Sequence, residues 1–264
     1  MAATCPSGFD VDRLRERIRG TYDRLARSPR GEFHFHRGLE YAVQRLGYDR
    51  FELSSLPEAC TERFAGVGNP LRIGPVSAGE TVLDHACGAG LDLLLAARRV
   101  GPSGKAVGVD MTPAMREQAT AAAAQAGLSD VVEVREGLFE DLPVADASVD
   151  VVISNGVVNL SPDKPRVFRE IARVLRPGGR LYLADVVVLR ELSLAVRGNS
   201  ELWAACIAGA LPEPELHELV ASAAFTGGQI VERFDCFAGT ATEGRVAAHL
   251  HVHAVNFLAA RTLP

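Results

Sequence analysis

The segment from Asp84 to Gly90 contains residue types that suit the binding of a small charged molecule. Gly88 and Gly90 let the backbone approach a ligand closely, and a helix that follows them offers free N–H groups. The segment departs from the dinucleotide pattern G-x-G-x-x-G, because Ala86 stands where its first glycine would be. The carboxylate of Asp84 would repel pyrophosphate but would attract the ammonium group of an amino acid. These features favour a ligand with an amino-acid part.

A second acidic residue, Asp110, follows Asp84 by 26 residues and ends another apolar run. A carboxylate at this place in an α/β unit accepts hydrogen bonds from both hydroxyls of a ribose. Met111 comes next and can pack on the face of an adenine. Gly-x-Gly turns and acidic residues are each common as plain structural features, but here they follow one another in the expected order. Together they predict S-adenosylmethionine (SAM) as the cofactor rather than NAD.

These residues require a sheet whose strand ends bring them together. Short apolar runs alternate with helical patterns, which predicts a Rossmann-like α/β fold with a mostly parallel sheet and helices on both faces. Ligands of such sheets bind at the carboxyl ends of the strands. Leu138 and Phe139 follow the third predicted strand and should flank the adenine, and Asn155 ends the fourth. The predicted strands span residues 81–84, 106–110, 131–135, 149–155 and 180–188, with helices at 91–100, 113–126 and 164–175.

Residues 1–75 precede this pattern and are predicted to form an N-terminal helical lid and substrate segment. Helical spacing predicts helices at 9–28 and 39–46, the second closed by Gly47. Residues 76–264 are predicted to form the SAM-binding domain, with C-terminal insertions on the substrate side. Its tail is predicted to contain helices at 201–209 and 213–223 and strands at 229–237 and 249–259.

Composition restricts the remaining possibilities. The chain has 264 residues and a net charge of −5 with no long basic run, which does not suggest a nucleic-acid-binding surface. No segment approaches the roughly 18–20 apolar residues of a membrane span, and the start does not resemble a signal peptide. The five cysteines are scattered, which indicates reduced thiols in the cytoplasm. We expect a small-molecule substrate, no membrane or nucleic-acid partner, no bound metal, and a monomer or homodimer.

Six longer runs add a family resemblance. They are GVGNP at 66–70, VLDHACGAGLD at 82–92, GVDMTP at 108–113, ISNGVVNLSPDK at 153–164, RVLRPGGRL at 173–181 and WAACIAGA at 203–210. In this order they resemble the seven-strand (class I) SAM-dependent methyltransferases and, more narrowly, the arsenite methyltransferases, over roughly residues 40–212. The resemblance implies a seven-strand sheet with the last strand antiparallel. It also implies SAM contacts at Asp84, Cys87, Gly88, Gly90, Asp110, Met111 and Asn155. We predict Ala86 of the same loop as a further cofactor residue.

The resemblance further implies a thiolate site for trivalent arsenic, and here the chain departs from the family. The family places cysteines at the positions of Val67 and Gly156, so that only Cys206 remains at a matching position. Trivalent arsenic is a soft centre, and holding it needs two or three converging thiolates. Cys236 has no evident partner in the sequence, and Cys206 alone is equally consistent with a small buried apolar residue.

The acceptor is expected between the Val67–Asn69 loop, Gly156 and Cys206, because these positions match the acceptor site of the family. We predict Val67, Asn69 and Gly156 as substrate residues on this basis. Trp203 is the only tryptophan of the chain, and it could either wall an aromatic pocket at this place or belong to the core.

His34 and His36 alternate in a segment that is expected to be extended, so both should face one side. We predict them as catalytic residues that accept a proton from the nucleophile. The sequence therefore predicts a SAM-dependent methyltransferase that acts on a small nucleophile, such as a thiol, imidazole or hydroxyl metabolite. Two alternatives stay open. One is an arsenite or organoarsenical methyltransferase with a reduced thiol set, and the other is a SAM-binding sensor or partner subunit without catalysis.

Overall fold

The computed structural model describes residues 3–240 and 250–263 of the chain. The strands are β1 (Thr81–His85), β2 (Lys105–Asp110), β3 (Val132–Glu136), β4 (Val149–Asn155), β5 (Leu175–Val188), β6 (Leu211–Pro212), β7 (Phe225–Phe234) and β8 (Val252–Arg261). The helices are α1 (Val11–Arg27), α2 (Gly38–Leu46), α3 (Arg50–Ser54), α4 (Glu58–Glu62), α5 (Leu91–Val100), α6 (Pro113–Gln125), α7 (Lys164–Val174), α8 (Leu194–Arg197), α9 (Ser200–Ala204) and α10 (Glu213–Ser222). Within these residues no helix combines the length and the apolar character that crossing a bilayer demands.

The strands form one sheet in the order β3-β2-β1-β4-β5-β8-β7, with the short β6 beside β5. Strands β1 to β5 pair in parallel, and β8 is antiparallel to both of its neighbours. The predicted mostly parallel sheet with a late antiparallel strand is confirmed along this path. The sequence does not predict the eighth strand, β6, because two residues are too few to show a pattern.

Alternate residues of the central strands supply two apolar cores, one on each face of the sheet. Val82 and Ile153 pack in the core that also receives the apolar residues of α5 and α6. Leu83 and Val152, their neighbours in sequence, pack in the core that receives α7. The prediction of helices on both faces is therefore confirmed.

The late strands are displaced from their predicted positions. Strand β7 spans Phe225–Phe234 rather than the predicted 229–237, and a register irregularity between Thr226 and Gln229 lets the strand continue through two glycines. Residue 249, the first of the predicted 249–259 strand, lies outside the described residues. Strand β8 begins only at Val252, because His251 has a left-handed backbone with φ 51°, which a strand does not accommodate.

The predicted lid contains the two helices expected there. Helix α1 begins after Asp10, whose side chain accepts a hydrogen bond from the backbone N–H of Arg13. Leu14 and Ile18 of α1 are buried, and the helix packs against α6 and α9. Helix α2 ends at Gly47, whose φ of 69° is the left-handed conformation predicted for this position. The division of the chain at residue 75 stays a prediction.

Candidate functional site

A cavity of about 840 Å³, including its opening to solvent, lies at the carboxyl ends of β1, β2 and β4. Ile18 and Tyr22 of α1 form part of its wall. Eight of the ten predicted cofactor residues line this cavity, while Gly90 and Leu138 do not. The eight are Asp84, Ala86, Cys87, Gly88, Asp110, Met111, Phe139 and Asn155.

The loop between β1 and α5 contains three residues whose backbone is in the left-handed conformation. Ala86, Gly88 and Gly90 have φ values of 63°, 52° and 92°. The N–H of Gly90 donates to the carbonyl of Cys87 at 2.9 Å, and α5 begins directly after it. Gly90 therefore positions the loop without bordering the cavity. Burial, with the charges of nearby carboxylates, raises the pKa of the Cys87 thiol well above its usual range. This neutral thiol forms a small apolar part of the wall.

Asp110 is held at the end of β2 by two backbone donors. Its Oδ2 accepts a hydrogen bond from the N–H of Gly88 at 3.0 Å, and its Oδ1 accepts one from the N–H of Thr112 at 2.7 Å. The side chain of Thr112 also hydrogen-bonds to this carboxylate. A carboxylate offers about four acceptor positions, so the buried Asp110 keeps acceptor capacity for the ribose hydroxyls that the sequence predicts at this place.

Asp84 has a buried oxygen, Oδ2, without a hydrogen-bond partner among residues 3–240 and 250–263. Burial raises the pKa of the Asp84 carboxyl well above its usual range, and the charges of Asp92 and Asp110 raise it further. All three carboxylates border the same cavity. A positively charged ligand would relieve their repulsion and pair with the free oxygen. SAM carries an ammonium and a sulfonium group, so the residues present fit this cofactor.

Asn155 borders the cavity, but its amide groups are already bonded within the protein. Its Oδ1 accepts a hydrogen bond from the N–H of Val67 at 2.8 Å, and its Nδ2 donates to Oδ2 of Asp92 at 2.9 Å. The hydroxyl of Tyr48 donates to Oδ1 of Asp92 at 2.7 Å. Burial raises the pKa of Asp92 to about 6, although both hydrogen bonds lower it. Asn155 therefore connects the loop that carries Val67 to the acidic wall of the cavity.

Phe139 is fixed beside the cavity by a buried histidine. The Nε2 of His85 donates to the Phe139 carbonyl at 3.2 Å, and its Nδ1 accepts from the hydroxyl of Ser154 at 3.2 Å. Burial lowers the pKa of His85 to about 4, so the ring is neutral and keeps this tautomer. Leu138, the neighbour of Phe139, forms an isolated bridge with Asp141 and lies outside the cavity wall.

The predicted substrate residues lie outside this cavity. Val67 and Gly156 are adjacent, because a Cβ on Gly156 would lie 3.2 Å from Cγ1 of Val67. The N–H of Asn69 donates to Oδ1 of Asn256 at 3.2 Å, and the Asn69 carbonyl accepts from Nδ2 of Asn256 at 3.1 Å. The two positions where the resemblance implies cysteines are therefore neighbours in space, and in this chain apolar contact fills the space between them.

Trp203 belongs to the core, which decides between the two alternatives left by the sequence. The side chain is fully buried, and its Nε1 donates to the carbonyl of Arg197 at 2.6 Å. The Nζ of Lys164 lies 4.5 Å from the centre of the ring, and the ring of Phe9 lies 5.5 Å from it. These contacts leave no face of Trp203 for an aromatic pocket.

Cys206 follows α9 in a left-handed conformation with φ 61°, which ends the helix before the predicted residue 209. Burial and then the charge of Asp185 raise the pKa of its thiol to about 12, although a hydrogen bond with Asn159 acts in the opposite direction. Tyr22 lines the cofactor cavity, and the pKa of its hydroxyl is raised by burial and then by the charges of Cys206 and Asp110.

The two predicted catalytic histidines bind backbone carbonyls. The Nε2 of His34 donates to the Ala204 carbonyl at 3.1 Å, and the Nε2 of His36 donates to the Ala238 carbonyl at 2.7 Å. The expectation of an extended segment is wrong, because the chain bends at residues 34 and 35. Burial lowers the pKa of His34. Neither ring lines the cofactor cavity, and both attach this segment to turns near Cys206 and Cys236.

Comparison with known proteins adds the family. Residues 76–232 match the methyltransferase domain family. A solved arsenic(III) S-adenosylmethionine methyltransferase from Chlamydomonas reinhardtii is 34% identical, with a TM-score of 0.71 over 81% of this chain and 73% of that chain. The chain belongs to the SAM-dependent methyltransferase family.

Two further relatives of this methyltransferase differ in the acceptor that their names state. An arsenite methyltransferase of Halobacterium salinarum is 43% identical over 190 residues, which cover 72% of this chain and 48% of that protein. Nocamycin O-methyltransferase of Saccharothrix syringae is 35% identical over 175 residues, which cover 66% of this chain and 53% of that protein. The methyltransferase spans about half the length of the curated relatives that it matches.

The sequence does not predict several residues that line or support the cofactor cavity of this methyltransferase. Asp92 could have been found, because it is the only acidic residue in the otherwise apolar first turns of α5, directly after the glycine loop. Tyr22 gives no functional signal, because its position fits the apolar face of the amphipathic helix α1. Tyr48 gives none either, because Gly47 before it already accounts for the end of α2.

Proposed function

We propose that this methyltransferase transfers the methyl group of SAM to trivalent arsenic, supplied as arsenite or as an organoarsenical. The observation that carries the proposal is the 43% identity over 190 residues with an arsenite methyltransferase. Cys206 supports it, because it stands where the resemblance implies an arsenic-binding thiol. These observations favour arsenic over the thiol, imidazole or hydroxyl metabolite that the sequence predicts first.

The proposed cofactor contacts follow from charges and surfaces described above. Asp84 would pair with the ammonium group through its free oxygen, and Asp110 would accept the ribose hydroxyls. Met111 and Phe139 border the cavity where the adenine would pack. SAM supplies a methyl group on a positively charged sulfonium, and the sulfur is left as a neutral thioether after transfer.

The protein itself would contribute alignment and the exclusion of water, which together are worth several kcal/mol. Ile18 and Tyr22 of α1 form part of the wall that separates the cavity from solvent. Trivalent arsenic has a lone pair, so it attacks a methyl group without losing a proton and needs no general base. The Nε2 atoms of His34 and His36 already donate to carbonyls, which agrees with an acceptor of this kind.

A small organic nucleophile is the second candidate, and the contact between Val67 and Gly156 favours it. This apolar pair lies where the resemblance implies two thiols, and it offers a surface suited to a carbon skeleton. The 35% identity with nocamycin O-methyltransferase over 175 residues points in the same direction.

The test incubates the purified protein with SAM that carries an isotopically labelled methyl group, under a thiol-free reductant. Arsenite, methylarsonous acid and a metabolite extract are offered in parallel. Labelled methylarsenicals, separated by chromatography and detected by elemental mass spectrometry, are the expected products. Asp84→Asn serves as the control that ties any product to the cofactor cavity. A labelled organic product without arsenicals would favour the second candidate, and SAM binding without any product would indicate a non-catalytic SAM-binding protein.

A further inference from the structure

The hydroxyl of Tyr48 contacts two polar residues that border the cofactor cavity. It donates to Oδ1 of Asp92 at 2.7 Å and accepts from Nδ2 of Asn155 at 3.2 Å. The residue is 4% exposed, and its ring packs edge-on against the ring of Phe64 with 5.3 Å between the centres. Asp92 and Asn155 line the cavity, whereas Tyr48 does not. Tyr48 therefore supports the cavity wall without itself reaching the cavity.

The side-chain amide of Asn155 is held in one orientation. Its Oδ1 accepts from two backbone donors, the N–H of Val67 at 2.8 Å and the N–H of Gly68 at 3.2 Å. Its Nδ2 donates to Oδ2 of Asp92 at 2.9 Å, to the Gly68 carbonyl at 3.0 Å and to the Tyr48 hydroxyl. A rotated amide would turn its own N–H groups towards the two backbone donors, which is unfavourable. One amide thus fixes where the backbone at Val67 and Gly68 lies.

The acceptor loop, as we call residues Gly66–Asn69, borders both halves of the site. Gly66 lines the cofactor cavity. Val67 lies beside Gly156, where the acceptor is expected, because a Cβ on Gly156 would lie 3.2 Å from Cγ1 of Val67. The loop also fits closely on its anchor, since a Cβ on Gly66 would lie 2.6 Å from Cγ of Asn155. A movement of Asn155 would therefore move the loop.

Charge connects the cofactor cavity to this loop. Asp92 lines the cavity together with the carboxylates of Asp84 and Asp110. A cation bound among them favours the ionised form of Asp92, in which both oxygens accept hydrogen bonds. Hydrogen bonds to an ionised acceptor are roughly twice as strong as those between neutral groups. A bound cofactor cation therefore strengthens the hydrogen bonds from Tyr48 and Asn155 that hold the loop.

We propose that Tyr48 is a positioning residue for methyl transfer, which acts through Asp92 and Asn155 to hold the acceptor loop against the cavity wall, and holds it more firmly when SAM is bound. The acceptor then meets a loop that the cofactor has already ordered. The inference rests on the proposed function for the place of the acceptor, and it applies to an arsenical and to an organic nucleophile alike. Placement matters, because a displacement of about 1 Å can slow a reaction about 100-fold.

Tyr48 can be tested separately from the residues that border the cavity, because removing its hydroxyl takes no contact from the cofactor. Tyr48→Phe keeps the ring that packs against Phe64 and removes the donor to Oδ1 of Asp92. Tyr182→Phe is the matched control. The hydroxyl of Tyr182 donates to the carbonyl of Pro75 at 2.9 Å, the residue is 1% exposed, and neither partner lines the cavity.

Hydrogen–deuterium exchange, resolved to single amides by mass spectrometry, reports the order of the acceptor loop without any acceptor. The backbone N–H groups of Val67 and Gly68 are followed in the intact chain with and without saturating SAM. SAM should slow their exchange by about tenfold or more in the parent and in Tyr182→Phe. In Tyr48→Phe the slowing should fall below about threefold, while the dissociation constant of SAM, measured by calorimetry, changes by less than about threefold.

Asp92→Asn is the second variant should Tyr48→Phe fail to fold. Its amide gains no charge when SAM binds, so saturating SAM should not slow the exchange of the loop. Turnover is then measured with the acceptor that the labelled-SAM assay identifies. Tyr48→Phe should lower kcat/KM for this acceptor by at least about tenfold and leave the KM for SAM within about threefold of the parent value.

The outcomes separate the positioning role from the proposed function. Equal slowing by SAM in Tyr48→Phe and in the parent would overturn the positioning role, even if methyl transfer is observed. An equal loss of slowing in Tyr182→Phe would overturn it as well, because any missing hydroxyl would then have the same effect. Loss confined to Tyr48→Phe and Asp92→Asn supports the role. If that pattern is found but no acceptor is methylated, the proposed function fails while the connection between cavity and loop stands.

Discussion

Replacing Asp92 with asparagine should stabilise the ligand-free protein at neutral pH and weaken its binding of SAM. Asp92 is 6% exposed, and burial raises its pKa to about 6. In an unfolded chain an aspartate ionises near pH 3.9. Keeping this carboxylate ionised in the fold therefore costs about 3 kcal/mol above pH 6.

The raised pKa of Asp92 determines how the free energy of unfolding changes with pH. Between about pH 4 and pH 6 the folded protein binds the proton of Asp92 more tightly than the unfolded chain does. The stability contributed by the protonated form is therefore fully present below about pH 4 and is lost as the pH rises through about 6. Asp92→Asn stays neutral throughout and avoids this loss.

The local hydrogen bonds can survive the substitution. The amide oxygen can accept from Asn155, and the amide nitrogen can donate to the hydroxyl of Tyr48. That hydroxyl lies 3.3 Å from the Gly68 carbonyl, to which it can donate its own proton. The gain from removing a buried charge is therefore not cancelled by an unpaired group.

Chemical unfolding from about pH 4 to pH 8 measures the effect. We expect the two proteins to have similar free energies of unfolding at the acidic end. At pH 8 the variant should be more stable by up to about 3 kcal/mol. Titration calorimetry should show SAM binding weakened about tenfold, because one of three carboxylates around the cation is lost. A variant less stable than the parent at pH 8, with the same pH dependence, would refute the reasoning.

Three further substitutions test other parts of the molecule. Asp84→Asn should weaken SAM binding by about 2 kcal/mol or more, measured by calorimetry, and unchanged affinity would show that the free oxygen does not meet the ammonium. Gly66→Ala should lower the free energy of unfolding by about 1–3 kcal/mol, because its Cβ would lie 2.6 Å from Cγ of Asn155, and an equal melting temperature would mean that the loop yields freely. Lys164 is fully buried over Trp203, and burial lowers its pKa to about 7. Stability should rise from about pH 7 to pH 10 in the parent, because the unfolded chain then holds the proton that the folded protein has lost. Lys164→Met should remove this rise and add up to about 4 kcal/mol at pH 7, whereas an unchanged pH profile would show that Lys164 is not the cause.

The cofactor half of the site could be predicted because its residues lie in local motifs. Asp84 and Asp110 each end a buried strand, and parallel strands bring their carboxyl ends to one edge of the sheet. The sheet follows from the alternation of apolar runs and helical patterns. The spacing of apolar residues in these strands and helices is therefore enough to place the glycine loop beside Asp110.

The acceptor half depends on contacts between distant segments. Tyr48 reaches Asp92 across 44 residues, and Asn155 reaches Val67 across 88. No local pattern records such contacts, because each residue also satisfies its own segment as part of a helix stripe or a buried run. The bend at His34 has the same origin, since the carbonyls that hold the segment belong to turns about 170 and 200 residues further along the chain.

The left-handed backbone of Cys206 has a consequence for engineering the protein. Glycine is the residue best suited to φ 61°, and any other residue is disfavoured there by about 1 kcal/mol. Cys206→Gly would relieve this strain, but it would also remove a buried side chain from the apolar core and a thiol from the proposed arsenic site. The fold therefore keeps a strained backbone conformation at the position where the proposed site needs a thiol.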